Sequence, residues 1–231
     1  MPVFLLNEDL FFPDPNEAVG DGLLAVGGDL SPDRLLLAYE HGVFPWYNPK
    51  DPILWWSPDP RCVLFPEKLH ISKSMRNILN RETYQVKADT AFEQVLRKCK
   101  NAPRNEEGTW ISEDIVQAYC RLHELGMAHS VETWKDGELV GGLYGVSIGR
   151  MFFGESMFTE ANNASKVAFI RLVRTLQRLD FEVIDCQIYN DHLGSLGAEN
   201  ISRKQFLKLS NEQLRFNTRK GSWTKLFAGH E

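Results

Sequence analysis

Residues 150 to 158 read RMFFGESMF. Glu155 stands among Phe152, Phe153, Met157 and Phe158, where an apolar strand would be more stable without it. Strict alternation puts Phe153, Glu155 and Met157 on one face and Phe152, Gly154, Ser156 and Phe158 on the other. The carboxylate then lies among large apolar groups unless a bulge at Gly154 re-aims it. A buried carboxylate needs a partner, and a ligand carrying an ammonium beside an apolar side chain supplies one. An amino acid fits that description. IDCQ is the second polar constellation: Asp185 and Gln187 interrupt a strand of Val183, Ile184, Cys186 and Ile188. Placed on one face, they form either a hydrogen-bonded site or an edge turned to water.

Other residue types narrow the chemistry by exclusion. GDGLLAVGGD precedes a helix but lacks both the G-x-G-x-x-G spacing and a P-loop lysine. The glycines of GGLYGVSIG fall in a strand pattern, where they permit bulges or close backbone approach. His123 and His129 are too far apart to share a helix face as zinc ligands, and read as a helix-end and a strand-edge histidine. There is no G-x-S-x-G elbow. Cys186, beside Asp185, reads as a core thiol whose thiolate that carboxylate disfavours. Trp46, Trp55, Trp56 and Trp110 sit in loops or at element ends, either pinning a small domain or offering a stacking platform to a base or ring. Lys73, Arg76 and Arg81 cluster in SKSMRNILNR, and Arg171, Arg174 and Arg178 recur at helical spacing; each group is a solvated face or a local phosphate patch.

The elements that must carry these residues are punctuated. Up to Pro60 the chain is rich in Pro, Gly and aromatic residues and reads as turns around one helix. That helix is capped by Ser31, started by Pro32, and stopped by Gly42, with Leu35, Leu36 and Tyr39 on one face. Thr90 and Glu93 suggest a capping box for a second helix, and Ser112 starts a third that ends near Gly126. From His129 the period becomes two: HSVETW, ELVGGLYGVSI and RMFFGESMF form a meander, with turns at Asp136-Gly137 and near Gly149. ASKVAFIRLVRTLQRL follows as a helix, then the strand FEVIDCQI, a loop, and a last helix over KQFLKLSNEQLRF. That order predicts an α/β (α+β) fold of the acetyltransferase type over residues 61–231, beside a small loop-rich N-terminal domain over residues 1–60.

Composition is that of a globular chain: 231 residues, 43% hydrophobic, 25% charged, formal net charge -5. Such a charge excludes a surface that wraps nucleic acid, though not a local basic patch. The cysteines Cys62, Cys99, Cys120 and Cys186 form no CxxC pair, so neither zinc nor a disulfide framework is indicated. No apolar run approaches the ~18 residues of a membrane span, and the chain reads as soluble and cytoplasmic.

Taken together, GLLAVGGDLSPDRLLLAYEHGVFPWY, DPILWWSPDPR, EEGTWI, AYCRLHELGMAHSVE, ELVGGLYGVSIGRMFFGESMF, NASK and IDCQIYNDHLGSLGA resemble the leucyl/phenylalanyl-tRNA–protein transferase family. The resemblance implies transfer of Leu or Phe from aminoacyl-tRNA to a protein beginning with Arg or Lys, marking it for degradation by the N-end rule, without metal or organic cofactor. It further implies that Leu143, Phe152, Met157, Phe169, Leu172, Leu176 and Ile184 line the pocket for the donor side chain. Leu172 and Leu176 stand where the family often has aromatic residues, which would alter the preference between Leu and Phe. Glu155 would hold the donor α-ammonium, Trp46 and Trp110 would receive the terminal adenosine, and Lys73, Arg76 and Arg81 the acceptor stem. Asp185 and Gln187 would be catalytic, Asp185 accepting a proton or orienting Gln187 at the amine or carbonyl. An acyl-CoA-dependent N-acetyltransferase is the rival enzyme, disfavoured because the junction ESMFTEANNASK lacks the glycines of a pyrophosphate turn. A non-catalytic adaptor for tRNA or peptide N-termini is the other alternative.

Overall fold

In the computed structural model, residues 3–103 and 109–228 are described; Glu106 to Gly108 of the EEGTW motif lie outside them. The segment expected to be turns around a helix instead builds a sheet. Strands β1 (Phe4–Leu6) and β2 (Leu23–Gly27) precede α1 (Pro32–Glu40), which is followed by β3 (Phe44–Pro45) and β4 (Leu54–Trp56). Their order is β1-β2-β4-β3. The strands are too short and too interrupted by Pro and Gly to show a period of two, so the sequence pattern missed them. Helix α1 begins and ends as its punctuation predicts: the Ser31 hydroxyl accepts from Arg34 N, and Gly42 has a positive φ of 70°.

The remainder builds the large sheet and its cover. In order come β5 (Arg61–Leu64), α2 (Lys73–Asn80), β6 (Gln85–Ala88), α3 (Phe92–Asn101), α4 (Glu113–Glu124), β7 (Ala128–Lys135), β8 (Glu138–Ile148) and β9 (Met151–Thr159). Then follow α5 (Ala164–Arg178), β10 (Val183–Gln187), α6 (Asp191–Gly194), β11 (Glu199–Ile201), α7 (Arg203–Gln213) and α8 (Thr224–Phe227). The sheet order is β11-β5-β10-β9-β8-β7-β6. The expected meander, crossover helix and final strand are all present. Strands β9 and β10 pair in parallel, the other neighbours antiparallel, and α5 is the crossover a parallel pair requires. Strands β5, β6 and β11 and helix α2 are additions to the sequence reading.

One apolar layer, against one face of the sheet, gathers the small sheet, α1, α3, α4 and Phe206 of α7. The other gathers α5, Met75 of α2 and Trp223. The indole of Trp223 stacks on His129 at 3.8 Å, and its backbone N–H donates to Asp89 at 2.7 Å. His129 is therefore a core residue rather than a strand-edge one.

The expected Thr90–Glu93 capping box does not form. The N-cap of α3 is Ala91, and its amide and that of Thr90 both donate to Glu132 of β7, at 2.9 and 2.8 Å. A carboxylate from the sheet serves the helix start in place of a local one.

Candidate functional site

The parallel pairing of β9 and β10 stops at Phe153 and Asp185, while β9 continues to Thr159. Beyond that point each strand carries one extra residue. On β9, Gly154 faces Gly145 and Ser156 faces Tyr144, leaving Glu155 unopposed. The bulge reverses the alternation, so Phe153 packs in one apolar layer and Met157 against the other, on opposite faces rather than the shared face that strict alternation gives. Gly145 is required here: a Cβ would lie 2.2 Å from the Phe153 carbonyl oxygen. On β10, Asp185 faces Val63 and Gln187 faces Cys62, so Cys186 is the extra residue, and Gln187 takes a φ of 62°.

The two bulges aim Glu155 and Gln187 at each other. Gln187 Nε2 donates to Glu155 Oε1 at 2.8 Å. Tyr39 of α1 donates to the same oxygen at 2.8 Å, and Tyr119 of α4 donates to Oε2 at 3.0 Å. The two tyrosine hydroxyls also touch each other. Burial, with Asp185 adding repulsion, pushes the Glu155 carboxyl up to about 7 despite the opposing pull of those three donors. Burial likewise holds both tyrosines well above their usual range. Neither tyrosine was singled out as polar by the sequence, because each sits on the apolar face of an amphipathic helix.

Asp185 has different surroundings. It is fully buried and forms a bidentate pair with Arg61, 2.8 Å from Nε and 2.6 Å from Nη2. Its Oδ1 also accepts the Gln187 amide N–H at 2.9 Å. Arg61 is itself clamped between the rings of Phe44 and Phe206, at 4.7 and 4.5 Å. Asp185 and Gln187, neighbours on one face by simple alternation, are thus turned to separate tasks by the Cys186 bulge.

A cavity of about 810 Å³ opens in front of Glu155. Its apolar lining includes Leu143, Phe152, Met157, Phe169, Leu172 and Ile184. Leu176, expected with them, is buried in the α5 core and is not among the lining residues. Cys186, read as a core thiol, stands in the cavity wall. Trp46 and Trp110 also line it, with Ile188, Tyr189 and Asn190. Trp46 is 41% exposed, and its backbone carbonyl accepts the Trp56 indole N–H at 2.6 Å. Trp55, by contrast, is core. Glu155 is the one carboxylate among the described lining residues, and there is no Lys or Arg among them. His192 of α6 also lines the cavity, its Nε2 buried without a partner and its pKa lowered by burial and by Lys166. Histidine spacing gave no sign of it. Lys73, Arg76 and Arg81 lie apart from the cavity lining, exposed on α2 and at its C-cap. The described residues contain no group of three or more His, Cys, Asp or Glu placed to hold a metal ion, and no helix among them is long and apolar enough to cross a membrane.

Comparison with known proteins gives one family for both parts of the chain that match. Residues 63–211 match the family described as leucyl/phenylalanyl-tRNA protein transferase, and residues 28–59 the N-terminal domain of the same family. A leucyl/phenylalanyl-tRNA–protein transferase of Syntrophobacter fumaroxidans is 57% identical over 93% of this chain and 92% of its own. One of Desulfatibacillum aliphaticivorans is 54% identical over 97% of each. Among solved structures, a GCN5-related N-acetyltransferase from Kribbella flavida covers 74% of this chain and 61% of its own, at 13% identity and a TM-score of 0.35.

Proposed function

This chain belongs to the leucyl/phenylalanyl-tRNA–protein transferase family and is an aminoacyltransferase moving Leu or Phe from aminoacyl-tRNA to protein N-termini, and from that premise we propose how its cavity performs the transfer. The reading rests on one observation: an apolar cavity that closes on a single half-buried carboxylate. The donor side chain fills the space bounded by Leu143, Phe152, Met157, Phe169, Leu172 and Ile184. Its α-ammonium replaces solvent at Glu155, whose charge then gains the cation it lacks in the free enzyme. An unbranched apolar slot accepts Leu and Phe, and discriminates against a misplaced methyl by ~1–3 kcal/mol. Trp46 and Trp110, which also line the cavity, stack on the terminal adenosine. The exposed cations Lys73, Arg76 and Arg81 receive backbone phosphates of the tRNA.

The acceptor's free α-amine, with a reference pKa of about 7.7–8.0, attacks the ester carbonyl. A tetrahedral oxyanion forms, the C–O bond to the ribose breaks, and the amine's proton leaves with the ribose oxygen. Gln187 donates one Nε2–H to Glu155, which fixes the plane of its side-chain amide, and its side-chain carbonyl orients the incoming amine. Asp185 acts through Gln187: paired with Arg61 and away from the cavity lining, it fixes the strained bulge instead of taking a proton. Positioning of the two reactants supplies the greater part of the rate. The acceptors are proteins beginning with Arg or Lys, tagged for N-end rule degradation in the cytoplasm.

The test mixes purified protein, tRNA charged with labelled leucine, and proteins beginning with Arg, Lys or Met. Acid-stable, RNase-resistant label on the Arg and Lys proteins alone is the expected result. Label on all three would overturn the acceptor rule, and charged tRNA bound without transfer would overturn the catalytic reading in favour of an adaptor.

A further inference from the structure

Beside Gln187 the cavity carries an aromatic ring that nothing in the chain covers. The Ile188 N–H donates to the Cys186 carbonyl at 2.8 Å across Gln187, whose φ is 62°, so the chain turns sharply there. Ile188 and Tyr189 follow the turn; both line the cavity and each is 45% exposed. The hydroxyl end of the Tyr189 ring lies over Gly194 of α6, where a Cβ would come within 2.1 Å of it, so the missing side chain sets where the ring rests. Two other exposed rings are occupied: Arg150 lies 3.9 Å from the centroid of Phe216, and Trp46 meets Trp56 at 5.8 Å. Among the described residues no ring and no cation lies against Tyr189.

We propose that Tyr189 is the residue that selects the acceptor, its free ring face taking the Arg or Lys cation of the protein N-terminus while Gln187 holds the amine. This rests on the acceptor rule proposed above. Glu155 is the one carboxylate among the described lining residues, and the donor ammonium takes it. The acceptor brings a second cation, for which the lining offers no anion. Two residues of chain span at most ~7 Å, a distance that an extended arginine or lysine side chain also covers, so an amine held at Gln187 leaves its side chain within reach of Tyr189. The methylene stem lies along Ile188 and the charge over the ring.

A ring face attracts an ammonium and a guanidinium alike, whereas a carboxylate favours the guanidinium that it can pair with twice. A cation–π contact therefore suits a rule that admits both Arg and Lys. Asp191 is the carboxylate nearest to Tyr189 in sequence; it is exposed and stands outside the lining.

The experiment supplies wild type and three variants with leucyl-tRNA and peptides that differ only in their first residue: Arg, Lys, Met, or citrulline, which has the shape of arginine without its charge. Wild type should use Arg and Lys at least about fivefold better than citrulline in kcat/KM, with the difference in acceptor KM. Tyr189→Leu should bring Arg and Lys to within about twofold of citrulline, while Tyr189→Phe and Asp191→Asn keep the wild-type ratio. A misplaced loop would slow all peptides together, so the ratio reports recognition and the rate does not. A wild-type ratio retained in Tyr189→Leu would overturn the proposal, and so would a ratio lost in Asp191→Asn, which would give the role to a carboxylate. Wild type that rejects Met but uses citrulline as well as Arg would leave the acceptor rule standing and overturn the cation–π reading alone. Equal use of Arg, Lys and Met would overturn the acceptor rule and this inference with it.

Discussion

The meander holds two glutamates with opposite purposes. Glu132 on β7 is fully buried and saturated by the protein: the amides of Thr90 and Ala91, the hydroxyls of Thr90 and Ser130, and the Trp134 indole all donate to it. Glu155 on β9 receives three donors and borders an 810 Å³ cavity. A carboxylate whose lone pairs are all taken by its own chain holds elements together. One left short of donors at a cavity wall is completed by a ligand. Sequence alone does not separate them, since each is a lone acid in an apolar strand.

Four measurements probe that contrast. Glu132→Ala strips the α3 start of its acceptor and leaves two backbone amides buried without partners, so a loss of ~3 kcal/mol or more is expected in urea unfolding. A variant as stable as wild type would erase the distinction. Glu155→Gln should instead leave unfolding unchanged or slightly more favourable to the fold, while the KM for charged tRNA rises about tenfold, some 1.4 kcal/mol. Unchanged donor kinetics would remove Glu155 from the role of hook.

The third measurement is pH dependence, where two signs must be kept apart. The Glu155 pKa is raised to about 7 on folding, so its carboxyl favours the folded state at low pH, and that contribution is lost as pH rises through about 7. Glu155→Gln should accordingly gain thermal stability relative to wild type as pH rises from 5 to 8, by roughly 5 °C or more. Donor binding runs the other way, since the ammonium needs the ionised form: wild-type KM should rise as pH falls below about 7, and that limb should vanish in Glu155→Gln. The smallest effect belongs to the tyrosines. Tyr39→Phe removes a donor that lowers the Glu155 pKa, so the acid limb should move to higher pH with a donor KM change of about twofold to fivefold, ~0.5–1 kcal/mol. A limb moving to lower pH would contradict the hydrogen-bond assignment.

Long periodic segments are legible in the sequence alone: α1 and α4 by their serine caps, the meander by its turn residues, α5 by its apolar stripe. Short strands of the N-terminal region were not, because three to five residues cannot establish a period. Within the site, the polar residues Glu155 and Gln187 were legible as exceptions to an apolar pattern. Their orientation was not, since each bulge adds one residue and inverts every side chain after it. Arg61, Tyr39 and Tyr119 were hidden because their partners are 124, 116 and 36 residues distant in sequence.

Trp223 gives the fold a dependence on the order of synthesis. Its indole closes over His129 and its amide donates to Asp89, so the layer behind the meander lacks its cover until residue 223 has left the ribosome. A nascent chain broken off before that residue would carry an open apolar face, and quality-control proteases could recognise it as incomplete.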